Sequence, residues 1–250
     1  MGALITPDWP APANIRSLMT TRDGGVSTGL YATLNLGAQV QDDPIAVAEN
    51  RARQCQALPA EPIWLDQVHG THVVQADSVI GVPDADASFT REPNTVCAVL
   101  TADCLPVLFC ARDGSVVAAA HAGWRGLAAG VLEATLAAMH VPPSEVMVWM
   151  GAAIGPDAFE VGDEVRATFI QSHPDAVRAF VLVPQPGILS LASPDKWLAN
   201  IYTLARIRLN SCGVTAVYGG GLCTYTDATR FYSYRRDGNT GRMASLIWLV

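Results

Sequence analysis

Lysine is almost missing from this 250-residue chain: of 16 basic residues only Lys196 is a lysine. Codon bias produces such a deficit, but it also has a chemical consequence. Anion recognition must fall to arginine, whose planar fork grips oxyanions bidentately where an ammonium is a point charge. Positive charge is scarce altogether, with 16 Lys and Arg against 23 Asp and Glu and a net charge of −7. A protein that tracks a phosphate backbone needs a basic surface, so no nucleic-acid partner is expected. Long apolar runs are absent too. Val116–Ala120 ends at His121 and Val146–Met150 at Gly151, far short of the ~20 residues that span a bilayer. The start, Met1 to Asp8, lacks the charged and apolar regions of a secretory leader. No membrane partner is expected.

Also missing are a C-x-x-C pair, an internal repeat, a low-complexity tract and a linker rich in Pro, Gly or Ser. The six cysteines are scattered at 55, 97, 104, 110, 212 and 223, which reads as reduced thiols and a cytoplasmic location rather than a disulfide framework. A Gly-rich nucleotide fingerprint is absent as well. Gly219-Gly220-Gly221 has neither the spacing nor the following helix.

What is present is apolar material, 50% of the chain, enough for one domain over residues 1–250. Strands are predicted at Ile15–Thr21, Pro62–Val68, His72–Ala76, Thr95–Thr101, Pro106–Cys110, Ser115–His121, Val146–Met150, Val214–Tyr218, Phe231–Tyr234 and Met243–Leu249. Helices are predicted from Asp43-Pro44 onward, where Pro suits the first turn, and at Leu127–His140, Asp163–Gln171 and Pro194–Cys212. The last is closed by Gly213, where a left-handed residue is commonly needed. No long helix separates the strands between 62 and 121. That breaks the βαβ rhythm and predicts an α+β fold with mixed sheets.

Three segments have a composition that a core does not require: Gln67-Val68-His69-Gly70, Thr101-Ala102-Asp103-Cys104-Leu105-Pro106 and His121-Ala122-Gly123-Trp124-Arg125-Gly126. Each places a potential metal ligand at a predicted strand end, where functional side chains are usually mounted. Two imidazoles, one thiolate and an open fourth position make the catalytic zinc pattern. One thiolate leaves the site with about +1 charge, which acidifies a bound water to a pKa of about 7 or polarises a substrate oxygen. The spacing matches no general zinc signature, and packing alone also buries Cys and His. His72 competes with His69, three residues away, and on an extended strand the two face opposite sides. His140 and His173 read as a helix end and a loop, Cys97 and Cys110 as core.

These segments stand alongside Thr20–Ser27 with its Arg22-Asp23-Gly24-Gly25 turn, Leu34-Asn35-Leu36-Gly37, and the terminal Phe231–Asp237 with Thr240-Gly241-Arg242. Taken in order, they resemble the bacterial YfiH/YlmD family, whose members are named polyphenol oxidase or laccase-domain proteins. The resemblance runs from about residue 15 to the C-terminus. It implies a layered α/β/β/α sandwich with mixed sheets, and a zinc site of His69, Cys104 and His121. It also implies purine nucleoside chemistry: phosphorolysis of adenosine, inosine and methylthioadenosine, and deamination of adenosine. Where the family commonly has G-P-C, this chain reads Gly155-Pro156-Asp157, so any role of that cysteine is absent.

Several readings stay open at this point. A Cys–His₂ set also suits copper, but a multicopper laccase adds a trinuclear cluster held mostly by histidines, and this chain has five histidines in all. Cys104 with His121 as base would make a metal-free hydrolase. A purine or cell-wall-fragment binder would use the same pocket without turnover. Phosphate would be held by Arg22, Arg125, Arg235 or Arg242, with Asp103 and Asp86 as candidate bases. Asn35 would contact ribose or purine, or fix a loop.

Overall fold

The computed structural model describes residues 4–183 and 196–250. Among them the strands are β1 (Leu4–Ile5), β2 (Ile15–Thr20), β3 (Val73–Gln75), β4 (Ala87–Thr90), β5 (Cys97–Thr101), β6 (Leu105–Ala111), β7 (Val117–Ala122), β8 (Val146–Met150), β9 (Glu160–Gly162), β10 (Phe180–Leu182), β11 (Lys196–Ala199), β12 (Ala216–Gly219) and β13 (Met243–Leu249). The helices are α1 (Pro44–Cys55), α2 (Trp124–Ala129), α3 (Val131–Met139), α4 (Asp163–Ser172), α5 (Ile201–Ser211) and α6 (Tyr234–Asp237).

Strand β6 shows why these pieces stack. All seven of its residues are buried. Leu105, Val107, Phe109 and Ala111 point into one apolar core, while Leu108 and Cys110 point into another. A strand that is apolar on both faces must be covered on both. One face of its sheet, ordered β12-β8-β6-β7-β4-β3, takes the helices, through Leu127, Leu132 and Met139 from α2 and α3 and Leu204 and Leu209 from α5. The other packs on a second sheet, β1-β2-β13-β5, which contributes Met19, Val99, Met243 and Ile247. The outer face of that second sheet carries Leu18, Leu246 and Trp248 against Leu34, Leu36 and Trp64. Helix α1 is fastened alongside by polar contacts, Asn50 Nδ2 donating to the Asn35 carbonyl and Arg51 Nε to that of Leu36. The first sheet mixes parallel pairs (β12–β8, β3–β4) with antiparallel ones. The expected mixed-sheet α+β sandwich is the observed one.

Four local expectations need correction. Pro62–Val68 is no continuous strand: Ile63 bridges Cys97 while Asp66 bridges Asp84, different partners within four residues. Leu127–His140 is two helices, because Gly130 adopts φ +106° and breaks the hydrogen-bond ladder between them. Pro194–Cys212 begins outside the described residues and then runs as β11 into α5, with Asn200 capping the helix by accepting from Thr203 N–H. The run Phe231–Tyr234, buried at Phe231, Tyr232 and Ser233 but exposed at Tyr234, pairs with no strand, and Ser233 instead caps the short α6. Strand β4 and the three-residue β9 and β10 carry too little period-two signal to be found in sequence.

Candidate metal centre

The three chemical segments meet where β5 and β7 end and β6 begins. Gln67 works like a strand partner: its Nε2 donates to the Leu100 carbonyl at 2.8 Å and its Oε1 accepts from Leu100 N–H at 2.7 Å. That double bond ties the Q-V-H-G loop to β5 and leaves His69, at φ +61°, turned toward the sheet ends. Between β5 and β6 the chain reverses in the turn Ala102-Asp103-Cys104, with Asp103 at φ +86°. His121 lies on β7 directly opposite Pro106 of β6.

Donor atoms of His69, Cys104 and His121 fall within 4.8 Å of one another. Cys104 Sγ is 3.7 Å from His69 Nε2. A tetrahedral zinc with bonds of about 2.0 Å to nitrogen and 2.3 Å to sulfur holds such a pair ~3.6 Å apart. The donor set and its spacing therefore fit a metal ion. His121 Nδ1 is bonded to Asp86 Oδ1 at 2.8 Å, which leaves Nε2 as the free ligand nitrogen. This is the carboxylate–imidazole support that orients ligating histidines. The same Asp86 carboxylate accepts from the backbone N–H groups of Val68, His69 and Gly70 at 3.3, 3.0 and 2.6 Å. One buried side chain thus aligns two of the three ligands. Against its burial, those donors and His121 hold the Asp86 carboxyl below its ordinary value.

Glycine in H-A-G-W-R-G is a matter of space. A Cβ at residue 123 would lie 2.6 Å from His69 Cδ2 and 3.0 Å from Cys104 Sγ, and one at 126 would lie 2.8 Å from the Gly70 carbonyl. Burial raises the Cys104 thiol, but the His121 and His69 imidazoles outweigh it and bring the group down to about 6. His121 is driven the opposite way, to about 9, because the Cys104 and Asp86 charges overcome its desolvation. Without metal, the pair is therefore thiolate and imidazolium near neutrality. Iodoacetamide labelling of Cys104 in chelator-treated protein is expected to rise with pH through about 6 and then level off, whereas an ordinary thiol has its midpoint near 9.0. Cys97 and Cys110, buried and pushed up to about 12, stay unlabelled. Mass spectrometry of the peptides reads the profile, and a Cys104 midpoint near 9 contradicts the assigned pairing.

The cluster opens into a cavity of about 700 Å³. Arg51, Arg125, Arg235 and Arg242 line it, with Trp64, Trp124, Phe159 and Tyr234. Burial lowers Arg242 from its usual value while the nearby Cys104 and Asp103 charges support it. The guanidinium of Arg125 stacks over Trp124, 4.6 Å from the ring centroid. Arg22 lies elsewhere: it donates to the Ala32 and Ala228 carbonyls and covers the Tyr232 ring. Asn35 is fully buried, its Nδ2 donating to Gly37 O and Asp42, its Oδ1 accepting from Gly37 and Arg242 N–H. Neither contributes to the cavity lining. Asp103 is committed as well, Oδ1 accepting from the Thr224 hydroxyl and Oδ2 from Arg235 N–H, both at 2.6 Å. Of the two histidines in His69-Gly70-Thr71-His72, only His69 joins the cluster, since His72 Nδ1 contacts the Asp84 carbonyl. Asp157 lines a separate, smaller cleft beside Cys223.

Sequence reading missed Gln67 and gave Asp86 another role. Gln67 carried a signal, being the amide of the Q-V-H-G segment, but Asp86 lies in an ordinary-looking Asp84-Ala85-Asp86 run and its side-chain partners are 16 to 35 residues away. Arg51 and Trp64, stacked at 4.2 Å, lie in segments that looked purely structural.

A layered α+β sandwich with a His–Cys–His cluster at its strand ends and an arginine-lined cavity above it defines a single-domain protein with, among the described residues, one candidate metal centre. The family model described as multi-copper polyphenol oxidoreductase laccase matches residues 16–250, and the chain belongs to this laccase-domain family. A Pseudomonas aeruginosa protein named purine nucleoside phosphorylase is 58% identical over 249 residues, covering 100% of this chain and 99% of its own length. The purine nucleoside phosphorylase YfiH of Escherichia coli is 52% identical, with both chains covered fully. Among solved structures, a Neisseria meningitidis protein aligns with a TM-score of 0.91 at 53% identity, covering 99% of each chain. YlmD of Geobacillus stearothermophilus aligns at 0.82 and 31%, covering 96% of this chain and 93% of its own. Among the described residues no helix is long and apolar enough to cross a membrane.

Proposed function

We propose that this protein is a zinc-dependent purine nucleoside phosphorylase of the cytoplasm, acting on adenosine, inosine and methylthioadenosine and also deaminating adenosine. The observation that carries the reading is the convergence of His69, Cys104 and His121 on one point at the wall of an arginine-lined cavity. Relatives that match this chain end to end and bear the phosphorylase name support it.

His69, Cys104 and His121 would hold the ion, which supplies Lewis acidity toward an oxygen or nitrogen of the substrate. In phosphorolysis a phosphate oxygen bonds to ribose C1′ while the C1′–N9 bond breaks, and the purine leaves with that electron pair and takes up a proton. Arg125, Arg235 and Arg242 bind and orient the phosphate as fork donors, and Arg125 has no other protein hydrogen-bond partner among the described residues. The aromatic walls exclude water, which favours phosphate over hydrolysis. Zinc is preferred to copper because two imidazoles, one thiolate and an open position form a catalytic zinc set. The remaining histidines also join no second group of ligands among the described residues.

About one zinc per chain is expected by elemental analysis, with hypoxanthine released from inosine only when phosphate is present. Hypoxanthine without any phosphate requirement would contradict phosphorolysis, and no product at all would make the protein a binder. A second reading has its own observation. Cys104, His121 and Asp86 form a nucleophile–base–orienter line, the arrangement of metal-free cysteine hydrolases. Activity that survives chelation but is lost on Cys104 alkylation would favour it.

A further inference from the structure

The cavity lining is short of acceptors. Among the described residues only two carboxylates reach it, Asp66 and Asp103, and both oxygens of Asp103 are occupied by Thr224 and Arg235. Asp66 is different. Its Oδ1 accepts from Gln39 Nε2 at 2.8 Å, and its Oδ2 has no protein partner among the described residues. A carboxylate offers about four lone-pair positions, so roughly three remain unused on a residue that lines the cavity. The Asp66 backbone is fixed on both sides, N–H donating to the Pro83 carbonyl at 2.9 Å and the carbonyl accepting from Ala85 N–H at 3.1 Å. The acceptor is thus anchored by a bridge to Asp84 and steered by a glutamine, in a cavity otherwise supplied with guanidinium donors.

We infer that Asp66, steered by Gln39, is the specificity-determining residue that accepts hydrogen bonds from the ribose 2′,3′-diol of the nucleoside. The inference rests on the purine nucleoside reading and names the part of the substrate that the site selects. The chemistry favours the diol over the base edge. Adenosine presents an amino donor beside an acceptor nitrogen, whereas inosine presents a ring N–H beside an acceptor oxygen, so a fixed acceptor serves the two bases differently. The diol is identical in both. Two adjacent hydroxyl donors also match the two oxygens of one carboxylate, and a site built to bond a hydroxyl discriminates against the analogue lacking it.

The test compares inosine with 2′-deoxyinosine in wild type, Asp66→Asn and Gln39→Leu, by kcat/KM with phosphate and by equilibrium binding. Wild type is expected to prefer inosine by about 10- to 100-fold, the worth of a hydrogen bond to a charged group. Asp66→Asn is expected to lose most of that preference, chiefly through a raised KM for inosine, while 2′-deoxyinosine, which keeps only the 3′-hydroxyl, is weakened less. Gln39→Leu should lose part of it. The backbone pairs at residue 66 do not involve the side chain, so folding, checked by circular dichroism, is retained. An unchanged inosine to 2′-deoxyinosine ratio in Asp66→Asn overturns the inference alone. Selective binding without turnover overturns the phosphorylase reading and leaves the inference standing, and failure to bind either nucleoside overturns both. Equal loss for both nucleosides with a changed adenosine to inosine ratio would move Asp66 to the base edge and also overturn it.

Discussion

Zinc and turnover are expected to disappear together from His121→Ala, in a protein that still folds. His121 is 3% exposed and contributes Nε2 to the cluster. Without it two ligands remain, too few for a stable site of the catalytic type. Loss of a Lewis acid is worth several kcal/mol of barrier, so kcat should fall by about 10³-fold or more. Stability should fall far less. The Asp86 carboxylate loses one partner but keeps the three backbone N–H donors of Val68, His69 and Gly70, so its charge stays compensated, and the cost is about 1–3 kcal/mol. Metal content, hypoxanthine release and a thermal melt on one preparation read all three quantities. Full turnover by a metal-free His121→Ala protein would remove the centre from the chemistry.

Asp86→Ala carries the second large effect, though Asp86 touches no metal in the proposed arrangement. It is fully buried, and it organises both His69, through the loop N–H groups, and His121, through Nδ1. Alanine leaves four donors facing an apolar methyl, each losing its acceptor, and such buried unsatisfied groups cost about 1–3 kcal/mol apiece before relaxation. The loop holding His69 should loosen, with metal affinity falling by 10–100-fold, the usual consequence of removing a supporting carboxylate, and melting should shift down by several degrees. Asp86→Asn is the informative companion. Its Oδ1 still accepts while its amide meets donors, so its loss of metal should be smaller than that of alanine. If both variants bind zinc with wild-type affinity, the imidazole orientation does not depend on this residue.

Much of the molecule was legible along the chain. Short apolar-rich segments marked β2, β8 and β13 nearly to the residue, because local composition is read within a few residues. Asp43-Pro44 announced α1, since a side-chain cap and a proline act within one turn, and Asp43 does accept from Ile45 N–H. Phe231–Tyr234 misled because burial and strand pairing leave the same apolar signature. Lys196–Ala199 misled because no residue in it forbids a helix, and its strand state comes from β9 and β10 on either side.

The sequence by itself determined the parts list of the site: three ligand-bearing segments, each next to a residue that breaks regular structure, in a chain with arginine as nearly its whole supply of cations. What only the tertiary structure decided was which of those parts meet. Asp86 and Asp66 look alike in sequence, yet one is sealed beneath the ligands by four donors and the other faces the cavity with an oxygen to spare. Arg22 and Arg242 likewise differ only in where the sheets carry them. Convergence of this kind depends on strand order and register, which sum interactions over the whole chain, so no short window of residues contains it.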